Sequence, residues 1–126
     1  MSYTTAAATY RRNAILTASP EKIIQMLYEG AIVHLERSHT ALQDRTTTHS
    51  AQVGESLSKA IGIVGELRSC LDHEAGGDVA RNLDLLYEYS VDEISQANIS
   101  RTPEPVEHTL HVLRTLKEGW DGIIPN

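Results

Sequence analysis

The feature that most restricts the fold of this chain is a heptad-like spacing of apolar residues in four consecutive segments. In the second segment these residues recur at alternating steps of four and three, at Val53, Leu57, Ala60, Val64, Leu67 and Leu71. Such spacing places the side chains along one side of an α-helix. No segment alternates apolar and polar residues as a half-buried strand does. The pattern therefore predicts an all-α protein.

Capping signals set the expected limits of the four helices. Ser19-Pro20-Glu21 and Thr102-Pro103-Glu104 each combine an N-cap residue, a proline suited to the first turn and an acid that favours the positive end of the helix dipole. Gly76-Gly77 predicts a break before the third helix, with Asp78 as its cap. The expected helices are residues 20–42, 49–72, 78 to about 98–101, and 103 to Gly122.

The third helix is expected to bury Val79, Leu83, Leu86, Tyr87, Ser90, Ile94 and Ala97. Four helices of similar length with short connections predict an up-down antiparallel four-helix bundle. We expect this bundle to span residues 19–124. Residues 1–18 lack a sustained period and are predicted to form an irregular or weakly helical N-terminal arm.

Charge and cysteine content narrow the function. Seventeen acidic and eleven basic residues give a net charge of −6 in 126 residues, which argues against duplex nucleic acid and anionic lipid as partners. Cys70 is the single cysteine, so an intrachain disulfide is excluded and semi-buried packing is expected. Because the sequence shows neither a membrane span nor a secretory signal, a soluble cytoplasmic protein is predicted.

Metal chemistry has weak support in the histidines. A di-iron site in a four-helix bundle needs two Glu-x-x-His motifs, and only Glu36-Arg37-Ser38-His39 has that form. His108 and His111 share a helical face, where solvated surface side chains are the simpler interpretation. No metal or other cofactor is therefore expected.

A histidine phosphotransfer domain is the alternative function. Such domains are also small helical bundles, and their motif resembles His34-Leu35-Glu36-Arg37-Ser38. However, Glu36 replaces an apolar residue and places a carboxylate beside the phosphoryl acceptor. His34 also falls on or near the inner side of the first helix, out of reach of a phosphate donor. Since no nucleophile or phosphate loop is recognisable either, we expect no enzymatic activity.

Apolar residues away from the inner sides favour a protein-binding surface. Each one alone also fits the edge of a wide core. These residues are Met26 and Val33 on the first helix, Ile63 and Cys70 on the second, and Leu85 and Tyr89 on the third. Gly54, Gly62 and Gly65 in the second helix fit either tolerated surface positions or close approach by another backbone.

Several motifs resemble the flagellar export chaperone family that binds flagellin. The most specific block is Thr17-Ala18-Ser19-Pro20-Glu21 followed by Met26-Leu27-Tyr28-Glu29-Gly30-Ala31, with Tyr10 upstream. Leu86-Tyr87-Glu88-Tyr89, Gln96-Ala97-Asn98 and Gly119-Trp120 extend the similarity over about residues 10–121. Within these blocks, Tyr28, Tyr87, Asn98 and Trp120 are interpreted as structural residues, with Asn98 as a helix-end or left-handed residue.

The resemblance implies a cytoplasmic chaperone without enzymatic activity. Members bind the disordered C-terminal region of flagellin in apolar grooves, prevent its premature polymerisation and deliver it to a component of the flagellar type III export gate. It implies no nucleic acid partner, no stable membrane insertion, and a monomer or weak dimer. The expected partner-binding residues are Tyr10, Ile15, Leu16, Met26, Val33, Ile63, Leu85 and Tyr89, with the first three covering the grooves when flagellin is absent.

Overall fold

The computed structural model describes residues 20–122, which form four α-helices and no strand. In chain order the helices are α1 (Pro20–Leu42), α2 (Ala51–Ser69), α3 (His73–Ser100) and α4 (Glu104–Asp121). Helix α1 packs against α2 and α4, and α3 packs against the same two helices. Each helix therefore touches its neighbours in sequence, α4 returns to α1, and α1 and α3 lie diagonally opposite. The all-α four-helix architecture predicted from the apolar spacing is confirmed.

Aliphatic side chains of modest size build the core. Leu35, Leu57 and Ile94 are fully buried, and alanines and hydroxyl residues fill positions between them. Each buried serine or threonine hydroxyl bonds within its own helix, as when Ser90 donates to the Leu86 carbonyl at 2.8 Å. Buried polar groups without partners are costly, so these local bonds let small polar residues occupy the core. The heptad seam of α2 is buried from Val53 to Leu67, as its spacing predicts.

The junction between α2 and α3 differs from the expected one. Helix α2 ends at Ser69 instead of residue 72, and α3 begins at His73, capped by Asp72, whose side chain accepts a hydrogen bond from the Ala75 amide. The predicted break survives as a kink, because Gly77 adopts φ 50° and ψ −122°, a left-handed conformation that glycine tolerates. One helical turn thus precedes the kink, where the sequence suggested a loop. Cys70, predicted to be semi-buried, is exposed at the C-cap of α2.

The inner side of α3 is largely the predicted one, but two of its expected residues are exposed. Its buried residues follow the series Ala80, Tyr87, Ser90, Ile94 and Ala97, with Leu83 partly buried against the core. Val79 and Leu86 each precede a buried residue by one position, so each points about 100° away from the seam. Val79 is consequently 68% exposed and Leu86 37% exposed, contrary to expectation.

Arg101 fastens the end of the bundle where α3 meets α4. It takes the left-handed conformation, φ 55°, that ends α3, a role the sequence suggested for Asn98, which is helical. Its guanidinium donates to the carbonyls of Thr48 at 3.2 Å and Ser50 at 2.9 Å. The α3–α4 connection is thereby tied to the α1–α2 connection. At the start of α4, Pro103 occupies the N-cap position and no side chain caps the helix. Thr102 is therefore not the N-cap residue that the sequence predicts.

A pair of tyrosines spans the diagonal of the bundle. The hydroxyls of Tyr28 on α1 and Tyr87 on α3 are 2.6 Å apart, and both side chains are 3% exposed. Burial raises the pKa of both phenols. Near the same end of the bundle, the Trp120 indole donates to the Glu21 carbonyl at 2.9 Å. Tyr28, Tyr87 and Trp120 are thus structural, as the sequence indicates.

Candidate partner-binding surfaces

One apolar surface follows the outer side of the α1–α2 pair. Met26 and Val33, seven residues apart on α1, are 44% and 42% exposed and face away from buried Ala31 and Leu35. Between them, Gly30 brings α1 close to α2, since a Cβ there would lie 3.4 Å from Ile63 Cδ1. Ile63 is partly buried and packs against the core. At three- and four-residue spacing, Met26, Gly30 and Val33 share one face of α1, and this face borders the α1–α2 groove in which Ile63 lies.

Two cavities lie along this groove. One of about 280 Å³ is lined by Ile63, Gly62 and Glu66, and one of about 380 Å³ is lined by Arg37, Ser56 and other polar residues. His34 and Lys59 line both cavities, so the two lie next to each other. The groove therefore mixes apolar and polar side chains, with Ile63 in one cavity and Arg37 in the other.

A second apolar surface lies on the outer side of α3. Leu85 is 57% exposed and Tyr89, one turn further, is 42% exposed. Glu88 and Asp92, also exposed, occupy the same helical face at three- and four-residue spacing. Leu86 extends the surface towards α4. This α3 surface therefore combines large apolar side chains with carboxylates.

Arg68 and Asp84 hold α3 against α2 beside the α3 surface. The Arg68 guanidinium donates to both carboxylate oxygens of Asp84, at 2.8 and 3.2 Å. These hydrogen bonds lower the pKa of the Asp84 carboxyl and raise that of the Arg68 guanidinium. A bidentate pair of this kind fixes orientation as well as contributing energy. The position of the α3 surface relative to α2 is therefore well defined.

The two surfaces face away from each other. Helices α1 and α3 are diagonal in the bundle, and each surface lies on the side of its helix opposite the core. Leu85 and Tyr89 consequently do not share a site with Met26, Val33 and Ile63. The remaining predicted binding residues, Tyr10, Ile15 and Leu16, lie outside the residues that the structure describes.

Two of the histidines, His39 and His108, form interhelical contacts. His39 on α1 lies 3.0 Å from Glu107, and His108 lies 3.0 Å from Glu93 on α3. In residues 20–122 no three His, Cys, Asp or Glu side chains come close enough to hold a metal ion. His34 is partly buried between α1 and α2, near the inner side as the sequence indicates. Within this same stretch, no helix is long and apolar enough to cross a bilayer.

Sequence reasoning missed three exposed apolar residues. Val79 and Leu86 were assigned to the inner side of α3, and Ile99, 79% exposed, was not singled out. The three-four alternation from Ala80 to Ala97 was the signal that places Val79 and Leu86 off the seam. The glycines of α2 also separate into two kinds. Nothing lies within 4 Å of a Cβ at Gly62 or Gly65, whereas one at Gly54 would meet Arg101 Nη2 at 3.4 Å.

Comparisons with known proteins agree with these motifs. The family model described as flagellar protein FliS matches residues 3–126. The flagellar secretion chaperone FliS of Vibrio cholerae is 44% identical over 108 residues, which is 86% of this chain and 77% of the relative. FliSB of Pseudomonas aeruginosa is 38% identical over 84% of this chain and 82% of its own length. FliS of Salmonella typhimurium is 36% identical over 90% and 82%, respectively. With this coverage and identity, the chain belongs to the FliS family of flagellar secretion chaperones.

Proposed function

We propose that this chain binds the disordered C-terminal region of flagellin on the α1–α2 groove and the α3 surface. Bound in this way, flagellin is kept from polymerising prematurely and is delivered to a component of the flagellar type III export gate. The proposal refines a role that the family itself provides, since FliS proteins are secretion chaperones and not enzymes. This family role gives no support to the histidine phosphotransfer alternative.

The observation that carries this proposal is the opposite placement of two exposed apolar surfaces. Met26 and Val33 are exposed on one side of the bundle, and Leu85 and Tyr89 on the other. A compact partner on one side of the bundle cannot cover both surfaces. An extended chain can, because it follows the curved surface from one helix to the next. Disordered segments bind in this manner, burying apolar area over long surfaces to offset their loss of conformational entropy.

The N-terminal arm, residues 1–18, is proposed to cover these surfaces when flagellin is absent. Tyr10, Ile15 and Leu16 supply apolar side chains of the kind the grooves would accept. An arm of this type competes with flagellin, so its release accompanies binding. The bundle of residues 19–124 is proposed to be the unit that carries the binding surfaces.

Delivery is proposed to take place in the cytoplasm without a cofactor. Release then follows from transfer of flagellin to the export gate, and no nucleotide is required. The net charge of −6 keeps the bundle soluble while its apolar surfaces stand open. We propose a monomer or weak dimer as the working form, with neither nucleic acid nor membrane insertion involved.

Co-purification with the flagellin of the same cell tests the proposal. Full-length flagellin should remain bound through size-exclusion chromatography, and flagellin lacking its C-terminal region should not. The truncated flagellin must be shown to be soluble, so that its loss reflects binding and not aggregation. Equal recovery of both forms would place the interaction elsewhere on flagellin and refute the proposal.

A further inference from the structure

Arg37 stands out among the cations of this acidic chain. In residues 20–122, most lysines and arginines pair with a carboxylate, as Arg114 does with Glu36 at 3.1 Å, or bond to backbone carbonyls, as Arg101 does. Arg37 and Arg45 are the two arginines of this range that do neither. Arg45 lies in the polar α1–α2 loop, whereas Arg37 lines the 380 Å³ cavity of the α1–α2 groove. A guanidinium without a protein partner in this range therefore lies at a candidate binding surface.

The surroundings of Arg37 favour an anion. Lys59 lines the same cavity from α2, and its partner Glu55, 3.0 Å away, belongs to an i,i+4 pair that is more than half exposed on both sides. Such an exposed pair is weak. Ser56 and Gln52 add polar side chains to the wall. One carboxylate thus faces two permanent cations, leaving Arg37 to pair with a group from outside.

We infer that the flagellin segment in the α1–α2 groove presents an aspartate or glutamate to Arg37 while its apolar side chains pack on Met26, Gly30 and Ile63. This inference rests on the proposed function and adds a charge requirement to it. A guanidinium binds a carboxylate through two parallel hydrogen bonds, so the contact fixes position as well as adding affinity. The apolar part of the groove alone would permit the segment to slide along α1.

The spacing of the two anchor points restricts the segment. Gly30 and Arg37 are seven residues apart on α1, which corresponds to about 10 Å along the helix axis. A helical segment parallel to α1 would place its acidic residue about seven positions from its apolar anchor. An extended segment, rising about 3.3 Å per residue, would need only about three. The C-terminal region of the flagellin must therefore carry an acid at one of these two spacings.

Charge reversal at Arg37 tests the inference. The affinity of the dye-labelled C-terminal region of the cell's flagellin is measured by fluorescence anisotropy for the full chain, R37E, R37Q and the matched control R45E. We expect R37E to weaken binding about tenfold, R37Q about threefold, and R45E less than twofold. Because Arg37 is exposed and unpaired, thermal melts should show R37E folded like the parent.

A complementary substitution in flagellin identifies the acid. Each aspartate and glutamate of the labelled segment is changed to lysine in turn, and one of these variants should bind R37E better than it binds the parent. Equal losses for R37E and R45E, or no rescue by any lysine variant, would overturn the charge requirement alone. Failure of the segment to bind the unsubstituted chain would overturn the proposed function together with it.

Discussion

Replacing Tyr28 with phenylalanine should destabilise the bundle, although the substitution removes a single oxygen. The Tyr28 and Tyr87 hydroxyls are 2.6 Å apart and both side chains are 3% exposed. Tyr28→Phe leaves the Tyr87 hydroxyl buried without its partner across the diagonal. A buried polar group that loses its hydrogen bond costs about 1–3 kcal/mol. For a chain of this length, 2 kcal/mol corresponds to a fall in melting temperature of roughly 6–12 °C.

The double variant separates the hydrogen bond from the packing. When Tyr28 and Tyr87 are both phenylalanine, no hydroxyl is left unsatisfied, and the apolar pair should restore stability to within about 1 kcal/mol of the parent. The two single effects should therefore be far from additive. Urea unfolding followed by circular dichroism measures all four proteins, and the double-mutant cycle gives the coupling energy. Additive losses would show that the hydroxyls do not interact and would refute this account.

The same pair predicts how stability depends on alkaline pH. Burial raises the pKa of Tyr28 and Tyr87 above the ordinary phenol value of about 10, so the folded state retains both protons where the unfolded state releases them. The stability that this difference supplies is complete below pH 10 and decreases as the pH rises above it. Between pH 10 and about 11.5, the free energy of unfolding should therefore fall less for the double phenylalanine variant than for the parent. This range begins at the ordinary phenol pKa. If the stability of both proteins fell equally with pH, the two buried tyrosines would not be the source of the alkaline instability.

Four further predictions concern flagellin binding and the stability of the bundle. Leu85→Asp should abolish flagellin binding with little change in melting temperature, because the side chain is 57% exposed, whereas Ile99→Asp on the same helix should retain binding in the same pull-down. Deletion of residues 1–14 should alter flagellin affinity without unfolding the bundle. If the deletion variant is unfolded, the arm is part of the core and does not act as a removable cover. Arg101→Ala should cost about 2 kcal/mol in urea unfolding by freeing two loop carbonyls. Gly65→Ala should raise stability by about 1 kcal/mol, since its Cβ meets nothing within 4 Å.

The sequence predicts those parts of the fold that depend on one helix at a time. The inner residues of α2 from Val53 to Leu67 and the end of α1 at Leu42 follow from the spacing of apolar residues and from the polar loop after α1. The start of α3 does not, because Gly77 permits a kink after which the helix continues, and the sequence reads that kink as a break. Val79 is predicted to be buried for a related reason, since the three-four alternation that places it off the seam begins only at Ala80, after the kink.

For the candidate surfaces, the sequence predicts which residues are exposed but not how they are grouped. Met26, Val33, Leu85 and Tyr89 were expected to lie off the inner sides, and all four are exposed. Their grouping into two opposed surfaces depends on which helices are neighbours, a property of the assembled bundle. The cavity beside Arg37 likewise arises between α1 and α2 and has no signature in either helix alone.

Contacts between the start of α1 and the end of α4 should allow the chain to be circularly permuted. Gln25 near the start of α1 donates to Asp121 at the end of α4 at 2.8 Å, and Trp120 reaches the Glu21 carbonyl. The first and last helical turns are thus held side by side. A short linker between them, with new ends opened in the loop before Ser50, would give a circular permutant with the same helix neighbours. The order in which the helices are synthesised could then be changed while their packing is kept.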